Sequence, residues 1–205
     1  MKSTIYIVDD EEAVRDALQL LLETAGFSNV VCYGSSQKFR DEIEARPGDI
    51  LILDVRMPEI DGLELLTQLA QRGLKLPVIV MTGHGDVPIA VRAMKAGAVD
   101  FIEKPFEEDL MIESVQRAIA LGAASKDSDG ESRQAREHYE ALTPREREVM
   151  DGMVAGHPNK VIAYELGISP RTVEIHRARV MEKMSAANLS TLVRLALAAK
   201  LGPTG

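Results

Sequence analysis

Residues Ile50-Leu51-Ile52-Leu53 are apolar without a break, lie between Gly48 and Pro58, and end on Asp54. A short apolar run bounded by turn residues is the signature of a strand covered on both faces. It commits the chain to a parallel sheet with helices on both sides. Ligands of such open sheets bind beyond the carboxyl ends of the strands, which is where Asp54 stands. A second apolar run, Ile5-Tyr6-Ile7-Val8, ends on Asp9 and Asp10. If the two strands are neighbours, three carboxylates share one crevice. Like charges that close are costly unless a cation neutralises them. Mg2+ takes hard oxygen ligands and suits such a cluster, with Mn2+ as the alternative.

Strand-like and helix-like runs alternate through residue 121. Val14, Leu18, Leu21 and Leu22 recur at helical spacing over 12–25; Val30–Tyr33 reads as a second strand; Ser35 or Ser36 can cap a helix to about Ala45. The Asp54 strand is third. Leu63, Leu66 and Leu69 mark the next helix, Val78–Met81 a fourth strand, Asp86 the cap of a helix stopped at Gly97, Val99–Ile102 a fifth strand, and 107–121 a last helix. Five βα units in about 120 residues predict a doubly wound α/β sheet of strand order 2-1-3-4-5. Residues 122–140 are small, polar and charged and read as a linker, of which 133–141 can extend a helix. From Leu142 the pattern is all-helical. Thr143-Pro144-Arg145-Glu146 has the form of a capping box with proline in the first turn. A short helix from Asn159 stops at Gly167, and Ser169-Pro170 opens a longer one to about Met184, the pattern of a helix-turn-helix. The final helix, 189–201, offers Leu189, Leu192, Val193 and Leu197 as either a core face or a dimer face. The expected domains are 1–121, a linker 122–140, and 141–205.

Charge divides along the same line. Residues 1–121 carry 12 Lys and Arg against 21 Asp and Glu, whereas 142–205 carry 9 against 6. An acidic half and a mildly basic half point to different partners. No apolar run approaches the roughly 18 residues of a membrane span. The chain enters a strand at once without a signal-peptide core, and its single cysteine, Cys32, has no internal partner, so the expected compartment is the reducing cytoplasm.

The strand ends collect Asp9, Asp10, Asp54, Thr82 and Lys104. A carboxylate can attack phosphorus and hold an acyl phosphate, provided cations neutralise the phosphoryl oxygens. A metal on Asp9 and Asp10 supplies one positive group and Lys104 another, while Thr82 can hydrogen-bond a phosphoryl oxygen. The acid pair, Asp54 with Met57-Pro58 and Asp61-Gly62, Thr82-Gly83 and Lys104-Pro105 closely resemble the receiver domain of two-component response regulators, over residues 3–121. The resemblance implies that Asp54 accepts phosphate from a histidine kinase. It also implies that Asp10, Asp54 and the Arg56 carbonyl ligate Mg2+, with Asp9 assisting, and that the peptide before Pro105 is cis. Phe101 falls at the family's switch aromatic, moving with Thr82; ordinary core packing is the other reading of this ring.

In the family the signal leaves through the fourth helix, fifth strand and fifth helix. Here Val91, Lys95, Val99, Asp100 and Arg117 lie there, as a homodimer face or as a merely solvated charged face. The protein is expected to be a monomer until phosphorylated. Leu142-Thr143-Pro144-Arg145-Glu146, Asn159-Lys160-Val161-Ile162-Ala163 and Thr172-Val173-Glu174-Ile175-His176 resemble the LuxR/NarL-type DNA-binding domain. On the second helix of the motif, Val173, Val180 and Met184 face the core. Arg171, Glu174, Ile175, Ala178 and Glu182 lie on the opposite side, which such a helix presents to the major groove, where Glu174 can accept from cytosine N4 and Ile175 or Ala178 can touch a thymine methyl; Thr172 is a further candidate DNA contact. Arg177, Arg179, Lys183, Asn159 and Lys160 suit phosphates. The implied function is a phosphorylation-dependent transcriptional activator of nitrogen-fixation or respiration-related genes. Its partners would be a histidine kinase, promoter DNA and RNA polymerase. It would not be an enzyme beyond its own phosphoryl transfer and dephosphorylation. Two rivals are a phosphatase or nucleotide-binding protein, for which the chain lacks GxxxxGK[ST] and GxGxxG, and a protein-interaction relay that never touches DNA.

Overall fold

The computed structural model describes residues 3–44, 46, 48–74, 76–83, 87–123 and 128–201. The chain divides into two compact units, Met1–Asp86 with Ala96–Ser125, and Val87–Lys95 with Lys126–Gly205.

The first unit is built on a five-stranded parallel sheet: β1 (Ile5–Val8), β2 (Val30–Tyr33), β3 (Ile50–Asp54), β4 (Val78–Thr82) and β5 (Asp100–Glu103), in the order β2-β1-β3-β4-β5. Its helices are α1 (Glu12–Thr24), α2 (Ser36–Glu42), α3 (Gly62–Gln71) and α5 (Glu108–Ala123). Every residue of β3 and β4 is buried, as their unbroken apolar runs require of strands covered on both sides. Side chains alternate between faces. Ile5, Ile7, Ile50, Ile52, Ile79 and Met81 pack with Leu18 and Leu22 of α1 and Met111 and Val115 of α5. Tyr6 points the other way, its ring 5.6 Å from that of Phe39 on α2. Each such aliphatic side chain contributes about 1.5–3 kcal/mol by leaving water.

Register places the acids. Val8 pairs with Leu53, so the next residue of each strand, Asp9 and Asp54, leaves the sheet side by side. Asp54 pairs with Met81 and Thr82 with Glu103, which brings Thr82 and Lys104 to the same edge. The Lys104-Pro105 peptide is cis. The Ser35 hydroxyl accepts from the Lys38 N–H and settles the α2 cap. Asp86, expected to cap the next helix, lies outside the described residues.

The second unit comprises α4 (Val87–Lys95), α6 (Ser128–Glu140), α7 (Pro144–Ala155), α8 (Asn159–Leu166), α9 (Pro170–Lys183) and α10 (Leu189–Ala199). Val149, Met150, Met153, Ile162, Val173, Val180, Met184 and Leu192 form its core. The capping box at Thr143 and Glu146 is present in both directions, and Ser169 caps α9 ahead of Pro170. Gly167 turns the chain between α8 and α9 at φ 64°, a backbone setting that costs glycine nothing. Much of the expected linker is helix: α6 runs through it, with Ala135 buried, the Ser132 hydroxyl donating to the Ala198 carbonyl and Arg136 to that of Ala199. A polar stretch with few apolar residues hides such a helix, because its order comes from the end of α10. That end supplies carbonyls which α10 itself leaves unsatisfied.

Candidate functional site

The site at the carboxyl edge of the sheet is organised by one ammonium. Lys104 Nζ stands 2.7 Å from Asp9 Oδ2 and 2.7 Å from Asp54 Oδ1. Asp9 is fully buried and Asp54 is 6% exposed. The other Asp9 oxygen accepts from the Glu11 N–H at 2.9 Å, so its carboxylate is fixed by both the chain and Lys104. Burial pushes the Asp54 carboxyl above the usual range; Lys104 pulls it down and Asp9, a neighbouring like charge, pushes it up. Burial works against the Lys104 ammonium, but its hydrogen bonds to Asp54 and Asp9 outweigh it and hold its pKa above the ordinary value. Thr82 is 2% exposed on the adjacent strand end, and Phe101 is half-buried on β5.

Of the three acids expected to crowd together, the structure joins two. Asp10, two residues beyond β1, is exposed, and among the described residues no three His, Cys, Asp or Glu side chains form a ready metal cage. Among the described residues, two nearly dry carboxylates nonetheless share one ammonium, which leaves net negative charge there, and the side chains gathered at the site, Asp9, Asp54 and Thr82, offer oxygen. That donor chemistry fits a hard divalent cation. Arg56 is exposed two residues after Asp54.

Two supports of this pocket escaped sequence reasoning. A Cβ at Gly62 would lie 2.9 Å from Val55 Cα and 3.1 Å from the Asp54 carbonyl carbon. The glycine lets the start of α3 press against the backbone of the phosphoacceptor candidate. Asp61 before it caps that helix, accepting from the Leu63 and Glu64 N–H groups. The dipeptide Asp61-Gly62 was the available signal. Arg15 donates to the carbonyls of both Asp9 and Asp10, which nothing in the sequence marks.

The expected dimer face is altered by burial. Lys95 is exposed on α4, and Val99 and Arg117 are half-buried. Val91 is 1% exposed and Asp100 4%. Asp100 is an internal acceptor, bonded by the Ser114 hydroxyl at 2.6 Å, Arg117 at 2.7 Å and the Phe101 N–H at 2.9 Å. Asp100 and Arg117 therefore neutralise each other within their own unit and leave the set of groups expected to pair across a two-fold axis; buried Val91 leaves it too.

On α9, Val173 and Val180 are fully buried, as is Met184 at its C-cap, while Arg171, Glu174, Ala178 and Arg179 are exposed and Ile175 is 49% exposed. A solvated isoleucine beside a carboxylate suits a helix face that waits for a partner. Thr172 is half-buried, its hydroxyl 2.8 Å from that of Ser169. Asn159 and Lys160 open α8, Lys160 exposed and Asn159 half-buried. One basic residue is corrected. Lys183 does not flank the helix as a free cation: its Nζ lies 2.7 Å from Glu146, which is 2% exposed, and also meets the Ala141 carbonyl. The Lys183 hydrogen bond, then the Thr143 backbone N–H, hold the Glu146 carboxyl down to about 2. Arg177 is half-buried, with burial lowering its pKa and Glu174 opposing that. Lys183 spends part of its charge inside the unit, because a position on a helix flank does not specify which neighbour a long side chain reaches.

Comparison with known proteins adds two domain assignments. The response regulator receiver domain family matches residues 5–116, and the luxR family of bacterial regulatory proteins matches residues 140–196. The transcriptional regulatory protein FixJ of Rhizobium meliloti (strain 1021) is 50% identical over 202 residues, 98% of each chain. The response regulator protein TodT of Pseudomonas putida (strain F1) is 41% identical over 193 residues, 94% of this chain and 85% of that one. Among solved structures, full-length FixJ from B. japonicum aligns with a TM-score of 0.58 at 46% identity and 98% coverage of both chains.

Proposed function

This chain belongs to the two-component response regulators that join a receiver to a LuxR-family DNA-binding domain, and from that premise we propose that phosphorylation of Asp54 switches its binding to promoter DNA. The observation that carries the proposal is the pairing of buried Asp9 and Asp54 on the single Lys104 ammonium, at the sheet edge where such folds bind ligands. The Asp54 oxygen forms the bond to phosphorus as the phosphorus–nitrogen bond of the kinase phosphohistidine breaks. Lys104, already placed between the carboxylates, balances charge on the phosphoryl oxygens, and Thr82 stands at the neighbouring strand end to hydrogen-bond one of them. Mg2+, or Mn2+ in its place, would supply further positive charge there, held by Asp9, Asp10, Asp54 and the Arg56 carbonyl.

A phosphoryl group adds about −2 charge and strong acceptor oxygens, enough to shift Thr82 and the half-buried Phe101 and bias two states of the domain. The consequence is homodimerisation, with Lys95 and Val99 as the residues still offered to a partner, and paired recognition helices on a near-palindromic site. Arg171, Glu174, Ile175 and Ala178 of α9 read bases, while Lys160, Asn159 and Arg179 meet phosphates. RNA polymerase is the downstream partner, the genes are those of nitrogen fixation or respiration, and the work is done in the cytoplasm. Among the described residues no helix is long and apolar enough to cross a membrane. The protein turns over no substrate beyond its own acyl phosphate.

The test is DNA binding by the full chain with and without acetyl phosphate and Mg2+. Wild type should bind promoter fragments more tightly after treatment and Asp54→Asn should not respond. An equal response in the variant removes Asp54 as the acceptor, and phosphorylation without any DNA binding favours the protein-relay reading.

A further inference from the structure

The acid pair at the end of β1 is held by a residue that no chemistry so far has used. Arg15, one turn into α1, sends its NH1 back to the Asp9 carbonyl at 2.7 Å and the Asp10 carbonyl at 3.0 Å. Helical side chains lean toward the N-terminus of their helix, so a residue at this position reaches the turn before it. The guanidinium lies against the loop after β2: a Cβ at Gly34 would stand 3.2 Å from NH1 and 3.3 Å from Cζ. The contact admits glycine and nothing larger without moving the arginine. Among the described residues Arg15 has no carboxylate partner, although Glu11, Glu12 and Asp16 are sequence neighbours.

We propose that Arg15 is a positioning residue of the phosphoryl site, its guanidinium clamping the Asp9 and Asp10 carbonyls so that the acid pair is set for a divalent cation. The inference rests on the reading of Asp54 and its neighbours as a Mg2+-dependent phosphoacceptor site. Asp9 is steadied from the sheet side by Lys104 and the Glu11 N–H; exposed Asp10 is held, among the described residues, by its backbone carbonyl, which accepts from Arg15. Partners that orient ligating groups are worth about 10- to 100-fold in metal affinity.

The sign of the effect separates positioning from simple electrostatics. Arg15 is a cation beside an acidic pocket, so through space it repels a second cation. If charge were its whole contribution, Arg15→Ala would bind Mg2+ more tightly than wild type. As a clamp, its removal weakens binding by about tenfold or more. The measurement is a calorimetric titration of the full chain with Mg2+ alone, at constant ionic strength, on wild type, Arg15→Ala, Arg15→Lys and Gly34→Ala. Arg15→Lys keeps the charge but not the planar fork and should also lose affinity. Gly34→Ala keeps the arginine and crowds it, and should lose less; it serves if Arg15→Ala does not fold. Affinities of Arg15→Ala equal to or above wild type would overturn the clamp, as would full recovery in Arg15→Lys. A wild-type protein that binds Mg2+ and labels Asp54 while Arg15→Ala matches it defeats the clamp alone. A wild type that does neither defeats the phosphoacceptor reading itself.

Discussion

Lys183 ends α9, yet its ammonium is 2.7 Å from the buried Glu146 carboxylate at the start of α7. Replacing it with methionine keeps most of the stem and removes the charge. Glu146 falls from 4.5 to about 2 in the folded protein, worth about 3.4 kcal/mol at about 1.36 kcal/mol per pH unit. That is an upper bound, since the Thr143 N–H shares in it and survives the substitution, and the Lys183 side chain is 35% exposed and screened by water. About half, roughly 1.5–2 kcal/mol, remains for Lys183→Met at neutral pH. The sign follows from linkage. A depressed carboxyl stabilises above its unfolded pKa and loses that contribution as pH falls from about 4.5 through about 2. The difference between wild type and Lys183→Met should therefore be full at pH 7 and shrink steadily below pH 4.5. Hydrogen exchange of α7 and α9 amides in the full chain reads this unit separately from the sheet. Equal protection at pH 7, or a difference that persists undiminished at pH 2.5, would refute the assignment. The same variant should leave the salt dependence of DNA binding unchanged, because the ion pair with Glu146 holds this ammonium inside its own unit.

Lys160→Ala, by contrast, should weaken binding to every DNA sequence alike and lower the salt slope by about one, as anisotropy titrations across salt concentrations will show. Ile175→Ala should cost about 1–3 kcal/mol on the preferred site and little on random DNA, seen in competition binding. Gly62→Ala should destabilise the first unit by about 1–3 kcal/mol and slow acetyl phosphate labelling, because its Cβ meets the backbone at Asp54 and Val55; an unchanged labelling rate would count against the close approach. Lys104→Met should bind Mg2+ about tenfold more tightly while losing phosphoryl uptake, since two buried carboxylates lose their shared ammonium. Weaker Mg2+ binding there would contradict its role as the resident counter-charge.

The sheet was legible because buried parallel strands are written as unbroken apolar runs, and two of them end on acids whose neighbourhood follows from strand order. The capping box at Thr143 and the Gly167 turn were legible for a similar reason: each is local chemistry with one geometric solution. What stayed hidden depends on contacts distant in sequence. Asp100 looks like a surface acid until Ser114 and Arg117 of α5 close over it. Helix α6 looks like a linker until the end of α10 accepts its side-chain donors. Lys183 and Arg15 look like any helical cations, and only the folded chain shows that one meets a buried carboxylate and the other two backbone carbonyls. Adjacency groups Asp10 with Asp9, whereas one residue decides between a buried position and an exposed one.

The most direct measurement is peptide mapping by mass spectrometry of the full chain after acetyl phosphate treatment, with Mg2+ and with a chelator. A phosphoryl group should appear on the peptide carrying Asp54, only with Mg2+, and should be missing from Asp54→Asn. Labelling elsewhere, or labelling of Asp54 that is indifferent to Mg2+, would contradict a buried acid pair that needs a cation to take up phosphate.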